Sequence, residues 1–345
     1  MSVAQSDLQC PSCAGQCAFD PMIQGLTCTS CGESRSLNTP WDGSAASETR
    51  YIPGREDTKA PALPESTHYQ CETCGGEVTF TGPALSTHCP YCDGPVVMTS
   101  AAEGFRAMAL IPFQMPAEEA PLHIARWIKG RLCAPNDLRA TSAQGRMAGL
   151  YAPFWTFDST EFVRYTATYR RGSGDKARRV SVRDSLQVHF DDMLAPASDH
   201  VTPLIRDGIL HDFDPQMLKP YRAGYLAGFA AERHRQSVAE GLASNDADKH
   251  LLLRNRVKDH VGKPATQVSH MDIDTSGIHY RRILLPVWIL HYTYGGKPMK
   301  VVVSGIDGRT YGERPFSRMK LLLASAMFAA AAVAFGFFWG YAAAP

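Results

Sequence analysis

Several signatures that announce an enzyme are missing from this 345-residue chain. Gly262-Lys263-Pro264 and Gly296-Lys297-Pro298 lack the upstream glycine and the Ser/Thr of a phosphate loop, which excludes an ATP-driven motor of that class. HExxH, GxSxG and GxGxxG are absent too, removing the common metalloprotease, hydrolase and dinucleotide-binding readings. Basic residues are scarce over the first 100 positions, where Arg35, Arg50, Arg55 and Lys59 face eleven acidic residues, a net charge of −7. A region so charged repels a phosphate backbone, so DNA or RNA is not the expected partner of this part. The opening MSVAQSDLQC has no basic stretch followed by an apolar run, so no secretion signal is expected, and disulfides are disfavoured with it.

Cysteine, by contrast, is patterned. Cys71-x-x-Cys74 is followed after fourteen residues by Cys89-x-x-Cys92, and Cys10, Cys13, Cys28 and Cys31 repeat the arrangement 61 residues earlier. A two-residue gap lets both thiolates of a pair face one ion, and the intervening segment returns the second pair as a hairpin. The expectation is two zinc ribbons holding two ions, one each. Four thiolates also hold iron in rubredoxin-like sites, and residue type alone separates the two metals poorly. Gly75 and Gly94 are read as the positions where positive φ and close approach to sulfur cost least. Cys17 is close enough to the first knuckle to substitute as a ligand, although a spare thiol is the preferred reading; Cys133 reads as a small apolar packing residue.

The fold class read from the whole pattern is α+β: two small N-terminal zinc ribbons, a central domain with an antiparallel sheet, and one C-terminal transmembrane helix. The boundaries are 1–36 for ribbon 1, 37–66 for a flexible Pro/Gly/Ala-rich linker, 67–100 for ribbon 2, 101–317 for the α+β domain and 318–345 for the anchor. Trp41 and Tyr51 are the linker aromatics that could dock. In the central domain the pattern predicts helices at 121–132 and 225–262 and a hairpin of strands 161–171 and 178–190 turning at 172–175. Strands are also predicted at 266–274, 279–294 and 297–305, with turns at Gly295-Gly296 and 306–308. The hairpin tip gathers Arg170, Arg171, Lys176, Arg178, Arg179 and Arg183. Acidic lipid, an acidic protein, nucleic acid or plain solvent are its candidate surroundings, with lipid or protein favoured over DNA for an anchored chain. His189-Phe190-Asp191-Asp192 and the alternating His270, Asp272 and Asp274 could converge on a further metal, but a solvated sheet face is the expected reading.

Residues 321–344 carry no charge, and as a helix they extend about 36 Å, enough to cross a hydrocarbon core of roughly 30 Å. Arg314, Arg318 and Lys320 precede the span, and Trp339 and Tyr341 fall at its far end. The positive-inside rule therefore predicts a single-pass inner-membrane protein with its bulk in the cytoplasm. Ala332, Gly336 and Gly340 recur at four-residue intervals, a small-residue face on which a second helix could pack.

CPSC and CTSC, CETC and CPYC, LYAPFWTFD (150–158), LKPYRAGYLAGFAAE (218–232), LLPVWILHYTYGGKP (284–298) and SGIDGRTYGERP (304–315) together resemble a bacterial family of membrane-anchored proteins with transcription-factor-IIB-type zinc ribbons. Its members are often labelled primosomal replication helicases, a label that a chain without a nucleotide site does not fit. The resemblance implies partners among phage-shock-protein-A-like and flotillin-like (SPFH) membrane proteins. Ala14 before Gly15 departs from the usual CPxCG of the first knuckle. The function so implied is a non-enzymatic zinc-binding scaffold in an envelope-maintenance complex; the alternative is a membrane-tethered nucleic-acid-binding protein using hairpin 170–183.

Overall fold

The computed structural model describes residues 8–37, 43, 47–55, 66–82, 87–100, 104–172, 177–206 and 213–342. Short alternating segments make the first ribbon, with strands β1 (Cys17–Asp20), β2 (Gly25–Cys28) and β3 (Ser34–Ser36) in order β1-β2-β3. A two-residue strand β4 (Thr49–Arg50) precedes the second ribbon, β5 (Ser66–Cys71), β6 (Glu77–Thr81) and β7 (Val96–Thr99). After the short β8 (Ala109–Leu110) come two helices, α1 (Ala120–Lys129) and α2 (Leu138–Ser142). Then follow the long strands β9 (Arg146–Arg171) and β10 (Arg178–Pro196), the two-residue β11 (Lys219–Pro220) and β12 (Ala230–Ala231), and helix α3 (Val238–Val261). The chain closes with β13 (Gln267–Tyr294), β14 (Lys297–Ser304), β15 (Thr310–Gly312) and helix α4 (Arg318–Ala342).

The body is built on β9 and β13, antiparallel over most of their lengths, from Arg146 opposite His291 to Thr168 opposite Gln267. Their distal halves alternate buried and exposed residues, Val163, Tyr165 and Ala167 inward with Phe162 and Arg164 outward. That period of two marks a sheet with one covered face. β10 flanks β9 there, and α3 lays Leu253 and Val257 on the inward side. The proximal halves are different: residues 150–157 and 280–290 are buried without interruption, so both faces need cover. The cover is divided by parity. Leu284, Trp288 and Leu290 pack with Phe19 and Leu26 of ribbon 1, whereas Ile283, Leu285, Val287 and Ile289 pack with Val78, Phe80 and Tyr91 of ribbon 2. The two ribbons thus clamp opposite faces of one sheet, and β12 joins β6 to β9 so that ribbon 2 also extends it edgewise.

Several expectations change here. Helix α3 starts at Ser237, whose hydroxyl accepts from Glu240 N (3.2 Å) while Glu240 Oε2 accepts from Ser237 N (2.7 Å), a capping box. Tyr225 and Leu226 end a single 3-10 turn (Ala223–Leu226), and residues 227–237 are not helical as predicted. Gly228 sits at φ +98°, outside the helical region, and Tyr225, Leu226 and Phe229 fill the core beside ribbon 1. Helix α3 does stop at Gly262 in the left-handed conformation. The strands predicted at 266–274 and 279–294 are one strand, with Gly277-Ile278 absorbed as a bulge between Ser276 and His279. The turn at Gly295-Gly296, with φ +56° and +76°, is as expected.

The segment 37–66 is held at the places described. Leu37 is buried and its carbonyl accepts from Tyr225 Oη (3.0 Å), β4 pairs with His279 and Tyr280, and Tyr51 packs against the Trp155 cluster. Trp41 and Lys176, with the turn residues 173–175, lie outside the described residues.

Helix α4 satisfies the membrane-span criterion from Arg318 to Gly336, and none of that stretch is buried against the body. It leaves from the proximal end of the sheet, where Tyr292 Oη donates to Glu313 O (2.8 Å) and Ser317 N to Cys133 O (2.9 Å). The arginine-rich hairpin tip is at the other end of β9, and 26 residues at about 3.3 Å each give a contour of roughly 80 Å between them.

Candidate metal centres

All four knuckles fold by the same hydrogen bonds. The N–H after the second cysteine returns to the carbonyl of the first: Ala14 to Cys10 (2.9 Å), Gly32 to Cys28 (3.1 Å), Gly75 to Cys71 (3.0 Å) and Asp93 to Cys89 (2.9 Å). The first cysteine's own N–H reaches Gly15, Glu33, Gly76 or Gly94 O at 2.7–2.8 Å. Closing so tight a loop puts the residue after the second cysteine at positive φ: Ala14 +58°, Gly32 +77°, Gly75 +73° and Asp93 +62°. The reading of Gly75 holds, whereas Gly94 is not the left-handed residue of its knuckle. It is glycine for space, because a Cβ there would stand 2.2 Å from Thr73 Oγ1 and 3.3 Å from Cys92 Sγ.

These loops bring the predicted sulfurs together. Cys10 and Cys31 Sγ are 3.6 Å apart and Cys13 and Cys28 3.5 Å; Cys71 and Cys92 are 3.5 Å apart and Cys74 and Cys89 3.8 Å. A tetrahedral ion about 2.3 Å from each sulfur requires edges of about 3.8 Å, whereas a disulfide needs about 2.05 Å. All ten cysteines are free thiols, and each quartet can hold one metal ion. Backbone donors favour thiolate at the first cysteine of two knuckles. N–H groups of Cys31 and Ser30 bring Cys28 down to about 6; burial opposes ionisation of Cys71, but the N–H groups of Cys74 and Thr73 outweigh it, down to about 7. Burial pushes Cys92 up to about 11. An entering ion therefore meets a part-ionised quartet and displaces the remaining protons. Cys17 faces Cys28 across the β1–β2 ladder but is not in the quartet, and burial raises its thiol. Cys133 is half-buried and serves the fold through its carbonyl.

A buried polar network that sequence reasoning missed ties the second quartet to the body. Tyr91, inside the knuckle Cys89-Pro90-Tyr91-Cys92, donates its hydroxyl to Glu232, which also accepts from Ser198 Oγ (2.6 Å). His200 Nε2 bonds Cys74 O (3.0 Å), and Glu232 beside His200 holds the imidazole up at about 9. His291 Nε2 bonds Pro90 O (2.8 Å), and Arg146 pairs with Asp93 (2.8 Å). The available signal was a glutamate ending the apolar run GFAAE, since a carboxylate in such a run needs donors.

Neither of the weaker clusters converges as a metal site of its own. Arg164 clamps Asp272 (2.6 and 3.0 Å) and Asp274 (3.0 Å) on an exposed face, while His189 bonds Thr160 (2.9 Å). Asp192 does join Glu48 and Asp158, but Arg281, 2% exposed, supplies the cation, pairing with Asp192 and with Glu48 (3.1 Å).

Fold and sites define an α+β protein, mostly sheet, with two four-cysteine metal-ready ribbons and one apolar helix long enough to cross a membrane. Among curated proteins the chain is similar to one named Uncharacterized protein YdjG from Bacillus subtilis (strain 168), 24% identical over 334 residues that cover 91% of each chain. No protein-family model matches, and no solved structure matches.

Proposed function

We propose that this protein is a zinc-loaded, non-enzymatic scaffold held at the cytoplasmic face of the inner membrane by α4. The observation that carries the reading is the clamp: two four-cysteine ribbons close on opposite faces of the sheet that leads into the apolar helix. Zinc suits these quartets because they supply four sulfurs at tetrahedral spacing and no open position, the arrangement of structural rather than catalytic sites. Each four-thiolate site adds about two negative charges to an acidic region, which supports protein rather than nucleic-acid partners. The far hairpin tip, with Arg170, Arg171, Arg178 and Arg179 at matched positions of β9 and β10, lies at the end of the sheet opposite α4 and offers an acidic partner a basic surface away from the bilayer. The sequence resemblance to ribbon-bearing membrane proteins suggests flotillin-like or phage-shock-protein-A-like partners.

The test is affinity capture of the full chain from native membranes in several mild detergents. A stable partner, lost when the four tip arginines become serine, supports the scaffold; recovery of the chain alone in every detergent overturns it.

A further inference from the structure

The body meets the first turn of α4 at a defined corner. Ser317 N donates to Cys133 O (2.9 Å) and Lys320 Nζ to Ala134 O (2.7 Å), so the loop after α1 is fastened to the start of the apolar helix. Beyond that turn none of the described span is buried against the body, so the bilayer surface must pass close to this loop if the helix crosses. The same loop leaves Leu132 91% exposed, and Phe316, which precedes the Ser317 that bonds the loop, is 58% exposed. Two large apolar side chains turned outward at one corner are what a soluble surface minimises.

Cations surround them. Arg131 stacks over Trp127 at 5.2 Å, and Arg314 over Trp127 at 5.9 Å and Phe316 at 5.3 Å, with Arg318 exposed on the first turn of α4. Trp127 is partly buried against the core, and its Nε1, like Arg131 Nε, is itself covered, so it is the outer guanidinium edges of Arg131 and Arg314 that remain to meet a ligand. Guanidinium groups flanked by exposed Leu and Phe match the polarity gradient of a membrane interface, where apolar side chains enter below the headgroups and cations meet phosphate.

Resting on the reading of α4 as a membrane span, we propose that this corner is a lipid-binding surface: Leu132 and Phe316 enter the interface while Arg131, Arg314 and Arg318 bind anionic headgroups. The protein thus stands on its membrane through two contacts, and the orientation of the long sheet is fixed relative to the bilayer. It follows that lipid contacts the proximal corner and not the basic hairpin tip.

Photocrosslinking of the full-length, zinc-loaded chain in vesicles tests this, with p-benzoylphenylalanine placed singly at Leu132, at Phe335 within the span and at Leu251 on the exposed side of α3. Lipid adducts at 132 and 335 but none at 251 are expected. The yield at 132 should be several-fold higher in phosphatidylglycerol-containing vesicles than in pure phosphatidylcholine, a gain lost in Arg131→Ser/Arg314→Ser protein of unchanged zinc content. Adducts at 335 without adducts at 132, or an adduct from 132 to a second copy of the chain, overturn the corner while leaving the span intact. Equal yields in the two lipids overturn headgroup binding, and silence at 335 removes the span and the corner together.

Discussion

Removing metal should unfold the body and not only the ribbons. Ribbon 1 and its flank contribute Leu8, Phe19, Leu26 and Leu37, all buried against one face of the central sheet. At about 1.5–3 kcal/mol per buried side chain, releasing them forfeits roughly 6–12 kcal/mol, an upper figure because a denatured chain keeps some burial. A domain's whole stability is about 5–15 kcal/mol. Ribbon 2 adds Val78, Phe80 and Tyr91 on the opposite face, so a metal-free body loses part of its cover on both sides. The assay is thermal melting of the full chain in detergent with reductant, with and without a strong chelator, followed by emission from Trp155 and Trp288, both buried in the body. A drop in Tm of about 10 °C or more is expected, given 2–4 °C per kcal/mol for a domain of this size. A reduced, demonstrably metal-free protein whose tryptophan transition stays in place would falsify the reasoning.

Tyr91→Phe leaves the buried Glu232 short of one donor and should cost about 1–3 kcal/mol in a denaturant titration with zinc stoichiometry unchanged; a neutral substitution would show that the hydroxyl's bond to Glu232 does not contribute to stability. His234 is fully buried, its Nε2 bonded to Phe154 O (2.9 Å), and burial holds its pKa down at about 3. Because the folded value lies below the ordinary 6.5, this histidine's contribution is complete above about pH 6.5 and is lost as pH falls. Between pH 7 and pH 5 the loss is about 2 kcal/mol, and His234→Gln should flatten the profile by that amount relative to wild type. Ala331→Asp/Val333→Asp, in the middle of α4, should shift the chain from the alkali-resistant membrane pellet toward the wash, since each central acid costs about 2.5–3.5 kcal/mol on insertion. Retention equal to wild type would rule out the span.

The cysteine quartets were legible because ligand spacing is a local property and recurs at one offset, so no tertiary knowledge was needed to group Cys10 with Cys31 or Cys71 with Cys92. The distal half of β9 and the apolar part of β13 were legible too, since alternation at 161–171 and the apolar run at 284–290 carry their period in the sequence, but residues 146–160 were not read as strand. What failed was the treatment of the ribbons as separate from the body. Phe19, Leu26, Phe80 and Tyr91 look like ordinary ribbon hydrophobes, and only their partners far along the chain in β13 show that they belong to a shared core. The clue lay in the unbroken apolar stretches 150–157 and 280–290, which demand cover on both faces while the body offers few helices to supply it. The start of α3 was readable from Ser237-Val238-Ala239-Glu240 but was outweighed by helix-favouring composition upstream. The fusion of two predicted strands into β13 was not readable, because a glycine such as Gly277 serves a bulge and a turn equally well.

The clamp also imposes an order on biogenesis. Both ribbons emerge from the ribosome well before β13, so their apolar surfaces exist first and must wait for the strands that will complete them. A ribbon that has failed to acquire its ion by then leaves a nascent sheet with greasy, unpaired flanks, a substrate for chaperones and proteases. Abundance of the mature protein should consequently track cellular metal supply, making the chain's own synthesis a gauge of nutritional state.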